Sequence, residues 1–240
     1  MKELTLTLLL TVQAVVSGFC LSSPSALRHP LARQTRRSNS ASDFLSGLFK
    51  DPKKVSAERL AKAETLKRTL LQVTTGTSNG IKASEGVRGE VAKIVKDLEA
   101  LNDIKTISSS PVMNGNWKLL YTTNDGSSAG RLGPFIGRVD QLIDVSGSKY
   151  INYVRLGGVV RGALSATWDN LSPKLWRVKF IDLEISVFGI PVTKKPLNAQ
   201  GTWRMTYLDE DIRVLYAQGG KNTLSENIYI LGKDKLSFSP

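Results

Sequence analysis

Few side chains in this sequence have both the type and the spacing for covalent chemistry. The only histidine is His29 and the only cysteine is Cys20, both within the first fifty residues. If that stretch is a removable leader, the mature chain has neither imidazole nor thiolate. A Ser-His-Asp or Cys-His nucleophile, a zinc site with His or Cys ligands, haem or iron–sulfur ligation and a structural disulfide are then excluded. No metal and no cofactor is expected. Carboxylates remain, and Asp182 and Glu184 share alternation with Phe180, which would put an acid on an inward strand face. Asp209-Glu210-Asp211 lacks the spacing of a calcium-binding hand and reads as a charged tight turn. Gly219-Gly220-Lys221-Asn222-Thr223 fails the phosphate-loop pattern, because residue 215 is Leu and Asn222 follows the lysine; it reads as a hairpin turn.

The leader itself is legible. Lys2 precedes an apolar run from Leu4 to Val16, too short to span a bilayer, followed by the small pair Ser17-Gly18. Residues 1–18 are therefore expected to be a signal peptide. From Phe19 to Ser42 the chain is rich in serine and arginine, with no acid until Asp43, so residues 19–50 have transit-peptide composition. The two segments in series, joined at Ser17-Gly18-Phe19, resemble the bipartite presequences of algae whose plastids lie inside extra membranes. A plastid location follows from that resemblance. The 240 residues carry 33 Lys and Arg against 21 Asp and Glu. Lys2, Arg28, Arg33, Arg36, Arg37 and Lys50 belong to the leader, so part of the basic excess is address.

Residues 51–110 read as a helical lead-in without aromatics until its end. Val87, Val91, Ile94, Val95, Leu98 and Leu101 fall on one helical stripe, with Arg88, Glu90, Lys93, Lys96 and Glu99 on the wet side. Ser84 is placed to cap that helix. The stripe is either a partner contact or a cap over the end of the following domain. From Asn114 onward the period becomes two, and all four tryptophans and six tyrosines appear. Strands are expected near 116–123, 137–145, 149–155, 158–168, 175–185, 200–208, 211–217 and 226–232, a number that closes naturally into an antiparallel barrel over 111–240. The fold class is thus mainly β with N-terminal helices. No run after the leader reaches the length of a transmembrane helix, so membrane attachment would be peripheral.

Alternation sets Trp117, Leu119 and Tyr121 on one face of the first strand and Trp203, Met205 and Tyr207 on one face of a late strand. Such an interior is either filled by its own side chains or open for one small ligand. Arg131 to Gly137 is a glycine-flanked apolar loop, readable as a portal flap, a membrane-touching tip or a loop packed over the barrel.

Together, Leu98-Glu99-Ala100-Leu101-Asn102, Asn114 to Thr123, Gly137 to Asp144 and Thr206 to Arg213 resemble the plastid lipid-associated proteins, or fibrillins, across roughly residues 55–232. Gly115-x-Trp117 with a strand-borne Arg213 also looks like the lipocalin signature, a ring stacked under a guanidinium at one barrel end. The chain departs from the family after Arg213, where Val214-Leu215-Tyr216 replaces a second basic residue.

The resemblance implies an eight-stranded lipocalin-like barrel and a non-enzymatic protein that binds or coats quinones, carotenoids, tocopherols or acyl lipids at thylakoids or plastoglobules. Trp117, Leu119, Tyr121, Trp203, Met205, Tyr207 and Arg213 would line or close the cavity, with Phe135 and Phe188 near its openings. Arg155, Arg161, Lys174, Arg177, Lys179, Lys194 and Lys195 on outer faces would draw the chain to anionic lipid. Expected partners are a hydrophobic lipid or isoprenoid ligand, a peripheral membrane or lipid-droplet surface, and an isoprenoid or quinone biosynthetic enzyme. A competing reading is a lipocalin-like enzyme acting on an isoprenoid or carotenoid through Asp182. Nucleic acid is not an expected partner, because the basic residues are spread out and the rings sit where a closed barrel buries them.

Overall fold

The computed structural model describes residues 52–219 and 226–234. The signal and transit segments lie outside the described residues, as does the Gly220 to Thr223 part of the hairpin turn. Two helices lead in, α1 (Pro52–Thr74) and α2 (Glu85–Glu99), followed by short helical turns at Ile107–Ser109 and Pro111–Met113. Ser84 caps α2 as its sequence position requires, its hydroxyl accepting a hydrogen bond from the Val87 amide at 3.3 Å.

Ten strands follow: β1 (Gly115–Thr122), β2 (Arg131–Leu132), β3 (Phe135–Ile136), β4 (Arg138–Asp144), β5 (Lys149–Leu156), β6 (Val160–Ser172), β7 (Leu175–Val187), β8 (Ile190–Leu208), β9 (Ile212–Gly219) and β10 (Asn227–Lys233). Eight of them close an antiparallel barrel in the order β1-β10-β9-β8-β7-β6-β5-β4, while β2 and β3 form a small separate hairpin. The expected barrel with helices before it is the observed architecture.

The strands are unequal. β6 and β7 have 13 residues each and β8 has 19, against 7 or 8 in the other barrel strands. β8 begins ten residues before the strand expected near 200–208, and its first half contains Pro191 and Pro196. The prolines are tolerated because β9 joins β8 only from Gly201 onward, so residues 190–200 hydrogen-bond to β7 alone among the described residues. Proline and lysine on an edge also discourage pairing with another chain.

Three register shifts redirect side chains that strict alternation places inside. Opposite β10, Leu119 faces Leu231 but Tyr121 faces Ile230, so Leu120 is an extra residue and Tyr121 turns to the outer face. Opposite β9, Met205 faces Leu215 but Tyr207 faces Val214, and Tyr207 likewise turns out. Opposite β6, Phe180 faces Ala166 but Asp182 faces Ser165, which sends Asp182 and Glu184 outward. A bulge of one residue inverts every side chain beyond it.

The outward tyrosines are still buried, because the helices cover that wall. Leu70 of α1 and Val91, Ile94, Val95 and Leu98 of α2 pack with Tyr121, Tyr207, Ile212, Val214 and Ile230. The stripe of α2 is therefore spent on the outside of the barrel, and neither caps an end nor stays free for a partner. Lys67 of α1 fixes the helix further, reaching Glu64 at 2.6 Å, Asp211 at 2.8 Å and Asp209 at 3.0 Å. Burial works against its charge, but these three carboxylates prevail and raise its pKa. Asp209 also accepts from the Asp211 and Ile212 amides at 2.8 and 2.7 Å, the tight turn expected of Asp209-Glu210-Asp211.

The α1–α2 loop clamps on the β1 bulge, where the Thr122 amide donates to the Asn79 carbonyl at 2.9 Å. Gly80 makes this approach with φ +97°, and a Cβ there would lie 2.2 Å from the Thr122 carbonyl oxygen. Gly80→Ala is expected to destabilise the fold by more than about 2 kcal/mol through that backbone clash and the positive φ. Denaturant unfolding checks this, with Gly89→Ala, which meets nothing within 4 Å, as the harmless comparison.

Candidate hydrophobic ligand site

The barrel has a sealed end, where the turns at 145–148, 173–174 and 209–211 lie, and an opposite end with the turns at 157–159 and 188–189. The lead-in turns close the sealed end by supplying acceptors to indole N–H groups that burial would otherwise strand. Trp117 Nε1 donates to the Met113 carbonyl and Trp176 Nε1 to the Ser108 carbonyl, each at 2.9 Å. The Trp117 ring lies between two cations, with the Arg213 guanidinium 5.0 Å and the Lys233 ammonium 4.5 Å from its centroid. This is the stacked ring and guanidinium that the resemblance of Gly115-x-Trp117 and Arg213 to the lipocalin signature implied.

Arg213 is 1% exposed. It donates to Gln141 Oε1 and, at 3.4 Å, to Met113 Sδ, and no acidic side chain pairs with it among the described residues. Burial accordingly pushes its pKa down. Its Nε has no partner, and neither does Oδ1 of buried Asn152, whose residue sits opposite Gln141 and Leu164 on the inner face.

The same core holds an aromatic stack. Trp168 and Trp176 are parallel with centroids 4.0 Å apart, Trp176 and Trp203 lie 6.2 Å apart, and Tyr150 tilts against Trp203 at 4.8 Å. Leu119, Met205, Val178 and Leu215 fill between them. Each ring pair adds about 1 kcal/mol beyond its burial. Tyr150 is wholly enclosed, and burial raises its pKa.

Toward the opposite end the inner face carries a smaller apolar cluster. Leu164, Leu183 and Ile185 form a small apolar cluster joined by Val160, Phe180 and Leu197, which are only partly buried. Ile190, opposite Val187 on the same face, is 68% exposed. A Cβ built on Gly162, opposite Val154 and Ile185, would meet only the Val154 carbonyl oxygen, at 4.0 Å. The apolar wall thus forms a shallow cup with room, among the described residues, for at least a methyl group before Gly162. The β2–β3 hairpin stands beside it, with Leu132 packed on the core and Phe135 57% exposed.

The residues singled out from the sequence divide into four groups. Trp117, Leu119, Trp203, Met205 and Arg213 face the interior and are packed there. Tyr121 and Tyr207 do not; the bulges place them under the helices, and Tyr207 donates to Asp209 at 2.8 Å. Phe135 and Phe188 are exposed at loop tips, as expected of residues near openings. Asp182 and Glu184 lie outside, with Lys194 3.5 Å from Asp182 and Arg161 3.6 Å from Glu184, so the inward acid that an enzymatic reading required is not there. Tyr150, Trp168 and the cup around Gly162 were not singled out, although Leu164-x-Ala166-x-Trp168 alternates as cleanly as β1. Outside the barrel, a groove of about 320 Å³ runs between α1 and the β1–β10 wall, lined by Arg68, Lys118, Lys233 and the Lys67 ion pairs.

A closed antiparallel barrel, sealed at one end by an aromatic–arginine stack and apolar and open at the other, defines the class of small barrels that can house a hydrophobic molecule. The profile of the PAP_fibrillin family matches residues 64–187, over half the chain, and the chain belongs to that family. Plastoglobulin-1 of Pisum sativum is 28% identical over 213 residues, 65% of this chain and 59% of its own length. A probable plastid-lipid-associated protein 3 of Oryza sativa is 25% identical over 65% of this chain and 57% of its own. A chromoplast-specific carotenoid-associated protein C1 from an Oncidium hybrid is 30% identical over 52% of this chain and 42% of its own. The chain therefore spans less than two thirds of the pea and rice proteins. No solved structure matches it significantly.

The sealed end makes its own prediction. Arg213→Met or Gln141→Leu alone leaves a buried polar partner stranded, and each is expected to cost about 2 kcal/mol or more. The double variant should recover at least about 1 kcal/mol of the summed loss, measured as a coupling energy in a double-mutant cycle from urea unfolding.

Proposed function

We propose that this chain is a plastid lipid-binding protein whose barrel takes the tail of an isoprenoid or acyl lipid into the cup around Gly162. The observation that carries the reading is the room on the inner face at that glycine, walled by Val160, Leu164, Leu183, Ile185 and Val187. Burial of a hydrocarbon tail contributes about 0.8 kcal/mol per methylene, so a long tail outweighs several kcal/mol of association cost. The aromatic stack of Trp168, Trp176 and Trp203 forms the base on which the tail ends.

The printed names of relatives, plastoglobulin and carotenoid-associated protein, support lipid association, and their chloroplastic or chromoplastic designations support a plastid location. The Ser17-Gly18-Phe19 junction supports delivery by a bipartite leader. Binding alone needs no covalent step.

A Cβ at residue 162 comes no closer than 4.0 Å to the neighbouring backbone, and Gly162→Phe projects a ring from there into the cup. It is expected to keep the melting temperature within a few degrees of wild type and to weaken binding of a prenylquinone or xanthophyll about tenfold. Quenching of the tryptophan emission measures the affinity. Unchanged affinity in this variant, together with no apolar passenger in native mass spectra of protein isolated from its own organelle, would sink the reading.

A further inference from the structure

The open end carries a second feature that ligand binding inside the barrel does not use. At the β7–β8 turn, Phe188 is 74% exposed, Ile190 68% and Val192 55%, and Val159 of the neighbouring β5–β6 turn is 39% exposed. The two turns are tied together, the Phe188 amide donating to the Val159 carbonyl at 2.8 Å. Together they make one projecting apolar tip, not scattered surface residues.

The turn residue itself is unusual. Val187 pairs with Ile190 across a two-residue hairpin, and Phe188 and Gly189 have φ of +50° and +79°. Positive φ at both positions defines the turn type that prefers Asn-Gly, whereas a bulky aromatic is strained at its first position. Strain at an exposed tip points to a use for the ring.

Charge is distributed to match. Behind the tip stand Arg155, Arg161, Lys194 and Lys195, against Asp140, Asp182 and Glu184. Lys195 is exposed and has no ion-pair partner among the described residues.

We propose that the open end docks on an anionic lipid surface. The Phe188 turn and Val159 insert into the apolar layer, while Arg161, Lys194 and Lys195 lie at headgroup level. In that orientation the mouth of the barrel faces the lipid, whether or not a ligand occupies the cup. The docking surface is thus separate from the cup and is tested separately.

The full chain with Cys20→Ser and Phe188→Cys, labelled with a polarity-sensitive dye, should show a blue-shifted emission on adding phosphatidylcholine vesicles that contain phosphatidylglycerol. The same dye on Ser146→Cys, at the sealed end, should not shift. Because the reporter sits at residue 188, binding through the basic leader alone does not move it. Phe188→Asn should raise the melting temperature by about 2 °C or more and lower vesicle partitioning in flotation about tenfold. Lys194→Glu with Lys195→Glu should remove the preference for phosphatidylglycerol. No shift at residue 188, equal partitioning of Phe188→Asn and wild type, equal binding to phosphatidylcholine alone, or self-association through the tip without vesicle binding would each overturn the proposal.

Discussion

Strands of unequal length cannot close a barrel evenly, and the rest of this structure depends on that constraint. Where all eight strands overlap, side chains from every direction meet on the axis, and tryptophan, tyrosine and leucine pack to interior density. Toward the turns at 157–159 and 188–189 the ladders from β4 through β8 continue, while β9 pairs with β8 only from Gly201 among the described residues. The two ends are therefore ringed unequally by paired strands. The buried Arg213 belongs to β9, Gly162 to β6 and the projecting turn at Phe188 to the β7–β8 hairpin.

The sealed end shows how a buried charge is held without a counter-ion. Trp117 gives Arg213 its ring face, Gln141 an acceptor and Met113 a polarisable sulfur, while the lead-in turns satisfy both indole N–H groups. The lead-in is thus part of the barrel's floor, and α1 and α2 are part of its wall. Lys67 ties the wall to the Asp209 turn through three carboxylates. Helices and barrel share two cores, one on the axis and one beneath α2, and the bulges in β1 and β8 deliver a tyrosine from the first to the second.

A family made for apolar molecules faces two tasks that physical chemistry separates, holding a molecule and finding the surface that stores it. Holding requires concave apolar area away from water, which the cup supplies. Finding a surface requires convex apolar area and a charge that orients the approach, which the tip and its lysines supply. In the proposed reading both lie at the same end, so a ligand that leaves the surface would have a short path into the barrel.

Much of this was written in the sequence. Ser84 announced the start of α2, period-two alternation announced the strands, and Trp117 with Arg213 announced the stack, because each rests on interactions between near neighbours or on a fixed pairing of residue types. The family, too, was legible from four short segments. The sequence by itself determined which residues are apolar, where strands run and which pair of groups closes the floor. Only the tertiary structure decided where the alternation slips. Leu120, Ile181 and Thr206 look like ordinary strand residues, and each becomes an extra residue only because closure and the helices over one wall demand it. That slip moved Tyr121 and Tyr207 beneath the helices and put Asp182 outside. It was invisible beforehand because a strand's register is set by its neighbours across the sheet and not by its own residues.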